Sequence, residues 1–259
     1  FTNADISRAY ESLKTLPDAA LVIPYYPVDA ERAKSFGLLG VEKDEAGNLQ
    51  IKDFVEKPRY TTNIPDSTKF HSNSHYEGAL VEYNSAQKAK NDKGEFMANP
   101  GMYFIGRDVI DVLTAHGHIE SLGGKYSDIV STGLGANVMP AIVQLCNEGK
   151  LLTKDGKPMK VYTVPLERAD GKPAVWDDIG TAEAYLDVVK DVARETASKG
   201  VGHDNKYYGI SESVLKDFEA NVDLKQGIVY ASKESRDAFG AFKEAKGVDV
   251  AAGNMYIAS

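Results

Sequence analysis

Ala19-Ala20-Leu21-Val22-Ile23-Pro24-Tyr25 is a continuous apolar run entered from Pro17-Asp18. A strand with one wet face alternates apolar and polar residues, whereas an uninterrupted apolar run is expected of a strand covered on both faces, as in a layered α/β sheet. Pro24 has no amide hydrogen for a ladder and is expected to end the strand. Ahead of the run, Ile6, Ala9, Tyr10, Leu13 and Leu16 fall on the i, i+3, i+4, i+7 stripe of a helix that Thr2 or Asn3 can cap. One face of that helix is expected on the sheet.

Downstream, 29–35 reads as a short polar helix. Gly37-Leu38-Leu39-Gly40-Val41 and Ile51-Lys52-Asp53-Phe54-Val55 flank the turn-rich Asp44-Glu45-Ala46-Gly47-Asn48, which joins two strands as a hairpin. The stretch 59–95 is polar and aperiodic, with Ala79-Leu80-Val81 its one short strand candidate, and reads as an inserted loop region. A strand is expected at 101–105, a helix at 107–115, and a helix at 136–147 with Pro140 in its first turn, where a missing amide hydrogen costs nothing. A second hairpin through Asp155-Gly156 leads to a strand at 159–166. Thr181 then caps a helix to about Ser198, with Ala184, Tyr185, Val188, Val189 and Val192 on its apolar face.

After Lys199-Gly200-Val201-Gly202 the character changes. Helices are expected at 211–220 and 232–245, with strand-like segments at 227–230 and 254–258 and no fixed-period repeat. The architecture expected is α/β, a layered mixed sheet flanked by helices over 1–199, with a small α+β C-terminal appendage at 200–259 that packs on the main domain or on a second subunit.

The 259 residues carry 42% hydrophobic side chains and a formal charge of −8. A sizeable core is available, and the acidic balance argues against a nucleic-acid partner, because phosphate backbones are gripped by clustered Lys and Arg. A phosphorylated partner should be a small molecule held locally. Cys146 is the one cysteine, lies in the apolar Ile142-Val143-Gln144-Leu145-Cys146, and is read as a buried thiol in a reducing, cytoplasmic setting. No run approaches the roughly 18 apolar residues of a membrane span, and no signal-peptide core is seen near the start, so no membrane partner is expected. The first residue is Phe1, directly before a helix-like segment, and the expectation is a piece of something longer or a processed product.

Three segments, in order, carry a resemblance: Ser35-Phe36-Gly37-Leu38-Leu39 with its hairpin to Phe54-Val55-Glu56-Lys57-Pro58, then Asn99-Pro100-Gly101-Met102-Tyr103, then Trp176-Asp177-Asp178-Ile179-Gly180-Thr181. Met139-Pro140-Ala141 precedes Lys160-Val161-Tyr162-Thr163-Val164-Pro165-Leu166 at compatible spacing. Together they resemble the second half of the catalytic domain of sugar-1-phosphate nucleotidyltransferases, closest in flavour to ADP-glucose pyrophosphorylases, over about residues 4 to 190. The resemblance implies a Rossmann-like nucleotidyltransferase domain whose N-terminal part is absent. It also implies a reaction in which a hexose-1-phosphate and a nucleoside triphosphate form a sugar nucleotide with release of pyrophosphate, as in glycogen biosynthesis from ADP-glucose, with Mg²⁺ as cofactor.

Repulsion between anions is the main obstacle to such a reaction, so fixed cations and a metal matter more than covalent chemistry. Lys57 is the natural point charge for the sugar phosphate, at a strand end whose direction Pro58 restricts. Glu56 beside it can accept hydrogen bonds from sugar hydroxyls. By the resemblance, Gly37 lets backbone approach the sugar, and Asn99 aligns with a small polar residue that contacts it, although Pro100 stands where the family has another residue. Asp178 matches the family's second metal-binding carboxylate, and hard oxygen ligands suit Mg²⁺. Its simpler reading is a carboxylate favoured at the N-terminus of the helix that Thr181 caps, and both readings can hold at once. Asp177 should point to the opposite side by strand alternation.

Other patterns have plainer readings. His71-Ser72-Asn73-Ser74-His75 and His116-Gly117-His118 lack the Cys or carboxylate companions of a zinc site and are read as solvated loop histidines. Gly133-Leu134-Gly135 lacks the third glycine and the Lys-Ser or Lys-Thr of a phosphate loop and is read as a helix-entry turn. Lys88-Ala89-Lys90-Asn91-Asp92-Lys93 is read as a solvated loop. The family's Gly-rich triphosphate loop, base-recognition residues and first metal carboxylate have no counterpart in these 259 residues.

A fragment of an active enzyme, a partner or homo-oligomer that supplies the first half, and a degenerate member retained for binding are the three explanations. The leading reading is a nucleotidyltransferase using glucose-1-phosphate and ATP. The alternative is a catalytically silent sugar-phosphate-binding or regulatory subunit. A glycosyltransferase would call for a spaced Asp-x-Asp pair, and Asp177-Asp178 is adjacent.

Overall fold

A computed structural model describes residues 2–55, 59–60, 70–71, 90–107, 109–110, 138–224, 228–230, 232–246 and 257–258. They fall into two compact units, 6–166 and 1–5 with 167–259.

The first unit is built on β1 (Ala19–Val28), in which Ala20, Leu21, Val22 and Ile23 are fully buried. Around it stand α1 (Ser7–Thr15), β2 (Leu38–Lys43), β3 (Leu49–Val55), β4 (Arg59–Tyr60), β5 (Phe70–His71), β6 (Phe96–Ala98), β7 (Phe104–Ile105), α2 (Met139–Asn147) and β8 (Lys160–Pro165). The main sheet has six strands in the order β6-β2-β3-β8-β1-β7, and β6 also pairs with β1. It is mixed, with β1 parallel to β8 and antiparallel to β6 and β7. Both faces are covered, as the apolar run requires. On one side Ala9, Leu13 and Leu16 pack on Val22 and Tyr162. On the other, Ile142, Val143, Leu145 and Cys146 of α2 join a core with Leu21, Ile23, Leu39, Ile51 and Val161. Each such Leu or Ile contributes about 1.5–3 kcal/mol by its burial. The buried hydroxyl of Thr163 donates to the Ile23 carbonyl at 2.6 Å, which ties β8 to β1 and leaves that group satisfied.

The structure corrects several expectations. β1 does not end at Pro24 but continues to Val28. On one flank β7 pairs with Leu21 and Val22 and β6 with Tyr26 to Val28, so Pro24 falls between two partners where no ladder donor is asked of it. The helix starts at Ser7 with no side-chain cap, so neither Thr2 nor Asn3 caps it. Of the proposed stripe, Ala9 is buried, whereas Ile6 and Tyr10 are half exposed. The 29–35 segment narrows to a 3-10 turn, Arg32–Ser35, with Asp29 Oδ1 accepting the amide hydrogens of Glu31 and Arg32. The hairpin forms as expected, its turn closed by Asp44 Oδ1 on the amide groups of Ala46 and Asn48, with Gly47 at φ 86°. The 101–105 strand shortens to β7, and β6 was not anticipated because three residues are too few to show a period. Within 59–95, β4 and β5 pair with each other; Ala79-Leu80-Val81 and 111–137 lie outside the described residues.

In the second unit, α3 (Ala182–Lys199), α4 (Glu212–Ala220) and α5 (Lys233–Lys246) accompany a small sheet of β9 (Val222–Asp223), β10 (Ile228–Tyr230) and β11 (Ile257–Ala258), ordered β11-β10-β9. Thr181 Oγ1 accepts the Ala184 amide hydrogen at 3.1 Å, the cap the sequence indicated. Val188 and Val192 of α3 pack with Tyr207 and Leu215, while Leu186, Val189 and Ala193 pack with Val222 and Val229. The compact units follow packing, whereas the division at 199/200 follows a change of sequence character, and these are different quantities. No helix among the described residues is long and apolar enough to cross a membrane.

Thr2 and Asn3 have another task. Thr2 Oγ1 donates to the Val175 carbonyl at 2.6 Å, and Asn3 Nδ2 donates to the carbonyls of Lys206 and Tyr208 at 2.8 Å each. Asn3 Oδ1 accepts from the Val175 amide at 2.8 Å, so one buried side chain joins two distant segments. Asn3→Ala should therefore destabilise the chain by about 2–3 kcal/mol, because buried backbone groups lose partners. Denaturant unfolding with an unchanged midpoint would contradict this account.

Candidate functional site

The hairpin register brings two sequence candidates together. Leu38 opens β2, pairs with Val55 across the hairpin and also meets Ala98 of β6. Gly37 precedes Leu38 and Asn99 follows Ala98, so both leave the sheet at one end. The Asn99 amide donates to the Gly37 carbonyl at 2.7 Å, and both residues are buried. Asn99 is held further by its own side chain: Oδ1 accepts the Gly101 amide hydrogen at 2.9 Å, and Nδ2 donates to the Tyr103 hydroxyl at 2.7 Å. Gly101 has φ 76°, a left-handed conformation that favours glycine, and this lets the chain turn tightly through Pro100. Tyr103, which stands in the Asn99–Tyr103 segment but has no role of its own in the sequence reading, is what holds the Asn99 side-chain amide; its i+4 relation to Asn99 carries no signal outside a helix.

Glu56 and Lys57 lie outside the described residues. Val55, the residue before them, is 1% exposed and sits in the same paired layer as Leu38, so that end of β3 is anchored in the sheet. Arg32, also unmarked in the sequence, places its guanidinium 5.7 Å from the Tyr26 ring and 5.8 Å from the Phe36 ring. This puts a positive charge on the ring of Tyr26 in β1 and on the ring of Phe36, which precedes Gly37.

Asp178 belongs to the second unit. Its residue is exposed and Asp177 is half-buried, and neither lies in a strand whose alternation would set their directions. A Cβ on Gly180 would lie 3.9 Å from Asp178 Oδ1, an ordinary contact, and Thr181 caps α3 just beyond. The Asp177 charge adds to the effects that hold the Tyr207 phenol above its ordinary range; burial is the largest, followed by the hydrogen bond Tyr207 donates to Asp191 Oδ2 at 2.6 Å. Among the described residues no group of three or more His, Cys, Asp or Glu could hold a metal ion.

Of the discounted patterns, the described 90–93 stretch is a turn in which Asn91 Oδ1 accepts from the amide groups of Lys93 and Glu95. His75, His116, His118 and Gly133-Leu134-Gly135 lie outside the described residues. A cleft of about 480 Å³ opens at the other end of the hairpin, and neither Gly37 nor Asn99 lines it.

Cys146 is buried as expected, and burial pushes its thiol up to about 12. A thiol held protonated at neutral pH is a poor nucleophile. The native chain should react with a disulfide-exchange reagent at pH 8 at least about tenfold more slowly than the denatured chain. Equal rates would show an accessible thiolate.

A family model of nucleotidyl transferases matches residues 2–195, a span that contains the sheet, the hairpin, Asn99 and the Trp176-Asp177-Asp178 segment. No curated protein matches the chain. With most of its length inside that match and a mixed sheet flanked by helices beneath it, the chain belongs to the nucleotidyl transferase family.

Proposed function

We propose that this chain supplies the sugar-phosphate half of the site of a sugar-1-phosphate nucleotidyltransferase of the ADP-glucose pyrophosphorylase kind. In the reaction a phosphate oxygen of a hexose-1-phosphate, glucose-1-phosphate by preference, attacks the α-phosphorus of a nucleoside triphosphate, ATP by preference. The bond from that phosphorus to the bridging oxygen breaks, and pyrophosphate leaves with the electron pair. The observation that carries the reading is the convergence of Gly37, Val55 and Asn99 around the Leu38 layer. Residues chosen from separated segments of sequence thereby meet at one end of one sheet.

In this reading Lys57 holds the sugar phosphate, Glu56 accepts from sugar hydroxyls, and the Gly37–Asn99 junction forms the wall against which the sugar lies. Rigid backbone suits this task, because an acceptor must be held in line with the α-phosphorus for transfer to be fast. Asp178 would hold Mg²⁺ together with substrate phosphates; the bound ion supplies neutralisation of their charge. The triphosphate loop would come from residues outside this chain, either in a preceding segment or in an oligomer. A reducing cytoplasmic setting belongs to the same proposal.

Pyrophosphate release measured on the intact gene product with glucose-1-phosphate and each triphosphate tests the reaction. Sugar-phosphate binding without turnover would favour the silent binding subunit. Lys57→Ala should lose detectable sugar-phosphate affinity, a drop of about 100-fold or more. Unchanged binding in that variant would sink the assignment. Asp178→Asn should lower Mg²⁺-dependent turnover by about 100-fold with an unaltered circular dichroism spectrum.

A further inference from the structure

Residues 29–37 connect β1 to β2, and their 3-10 turn lies on one face of the sheet. Ala33 of the turn is fully buried with Leu38, Val55 and Ala98, and the half-buried Tyr26 and Phe36 pack on the same cluster. The turn is held from its start, because Asp29 Oδ1 accepts the Arg32 amide hydrogen at 2.9 Å and the Asp29 carbonyl accepts that of Ala33 at 3.0 Å. Tyr26 pairs with Ala98, Ala98 with Leu38, and Leu38 with Val55, so these four form one row across the sheet. Residues paired in this way project from the same face. One position beyond the row lie Gly37 and Asn99, joined by the 2.7 Å hydrogen bond from the Asn99 amide to the Gly37 carbonyl. The Arg32 guanidinium stands 5.7 Å from the Tyr26 ring and 5.8 Å from the Phe36 ring. Phe36 is bonded to Gly37, and Tyr26 is paired with the residue that precedes Asn99. One cation thus touches a ring on each side of the junction.

We propose that Arg32 is a positioning residue for the Gly37–Asn99 junction, clamping the Phe36-Gly37 segment to the Tyr26–Ala98 pair through its two ring contacts. Gly37 has no side chain with which to pack, and its backbone is the most permissive of any residue, so its place must be fixed by its neighbours. Phe36 is the neighbour with a ring to hold. A guanidinium suits the task because it is planar and weakly hydrated and can lie on ring faces while its edge stays in water, as the exposed Arg32 does. Lysine would keep the charge and lose the planar contact. The effect of the clamp on substrate rests on the sugar-phosphate reading of this end of the sheet, whereas its effect on the junction does not.

Amide hydrogen exchange of the full chain, followed residue by residue, tests the clamp directly. In Arg32→Ala the Asn99 amide should exchange about threefold to tenfold faster, the size expected from two exposed cation–π contacts. The Met159 amide, which donates to the Leu151 carbonyl at 2.8 Å, is the control and should be unchanged. Arg32→Lys should fall between Arg32→Ala and the wild type. In a Phe36→Leu background the further change Arg32→Ala should accelerate Asn99 less than it does in the wild type, because one of its two contacts is already gone. Glucose-1-phosphate affinity, measured by calorimetry, should weaken in Arg32→Ala by the same threefold to tenfold factor. Unchanged Asn99 exchange in Arg32→Ala overturns the proposal whatever the affinity does, and so does equal acceleration at Asn99 and Met159, which would mark a general loss of stability. Faster Asn99 exchange with undiminished glucose-1-phosphate affinity overturns the link from junction to substrate. Faster Asn99 exchange in a chain whose wild type binds no glucose-1-phosphate supports the clamp and overturns the sugar-phosphate reading instead.

Discussion

The parallel pairing of β1 with β8 is the constraint on which the first unit depends. Parallel neighbours cannot be joined by a tight turn, so the chain travels from Val28 to Lys160 before it returns. Their side chains must be covered on both faces, and α1 and α2 do this from opposite sides. The pair also sets the registers around it. β3 joins through Leu49 and Gln50, and β6 and β7 share the other flank of β1. The Thr163 hydroxyl on the Ile23 carbonyl and the 2.8 Å ion pair of Lys160 with Asp18 fasten the two strands at separate levels.

The hairpin transmits that order to its two ends. At one end the Leu38 layer holds Gly37 and Asn99 against each other through backbone, with Asn99's side chain spent on Gly101 and Tyr103. A junction made this way is held by sheet exits and not by free loops. At the other end the hairpin stops short of β8, where the cleft opens.

The second unit is fastened differently, by buried polar groups. Arg168, 5% exposed, donates to both carboxylate oxygens of Asp170 and to the carbonyls of Asn205 and His203 at 3.0 and 3.2 Å. The guanidinium holds the Asp170 carboxyl well below the usual carboxylate range. Asn3 does comparable work with an amide. Such groups are tolerated inside only because nearly every donor and acceptor is used.

Local chemistry was legible in the sequence wherever a short pattern suffices: the apolar run of β1, the Asp44 to Asn48 turn, the Thr181 cap, the buried Cys146 and part of the apolar face of α3, where Val188, Val189 and Val192 are buried but Tyr185 is exposed and Leu186, not expected there, is buried. These depend on neighbours within one or two turns of chain, so the residues themselves carry the information. The candidates Gly37, Asn99 and Asp178 were named from motif resemblance, not from geometry, and Glu56 and Lys57 stand on that alone. What only the tertiary structure decided is long-range. Pro24 sits inside a strand because its flank happens to fall between two partners, Asn3 binds across 203 positions to Lys206 instead of capping a helix, and Arg8, Lys43 and Lys90 line one cleft. No local pattern encodes these, because the free energy that selects them comes from which distant surfaces the packed sheet brings within hydrogen-bond or Coulomb range.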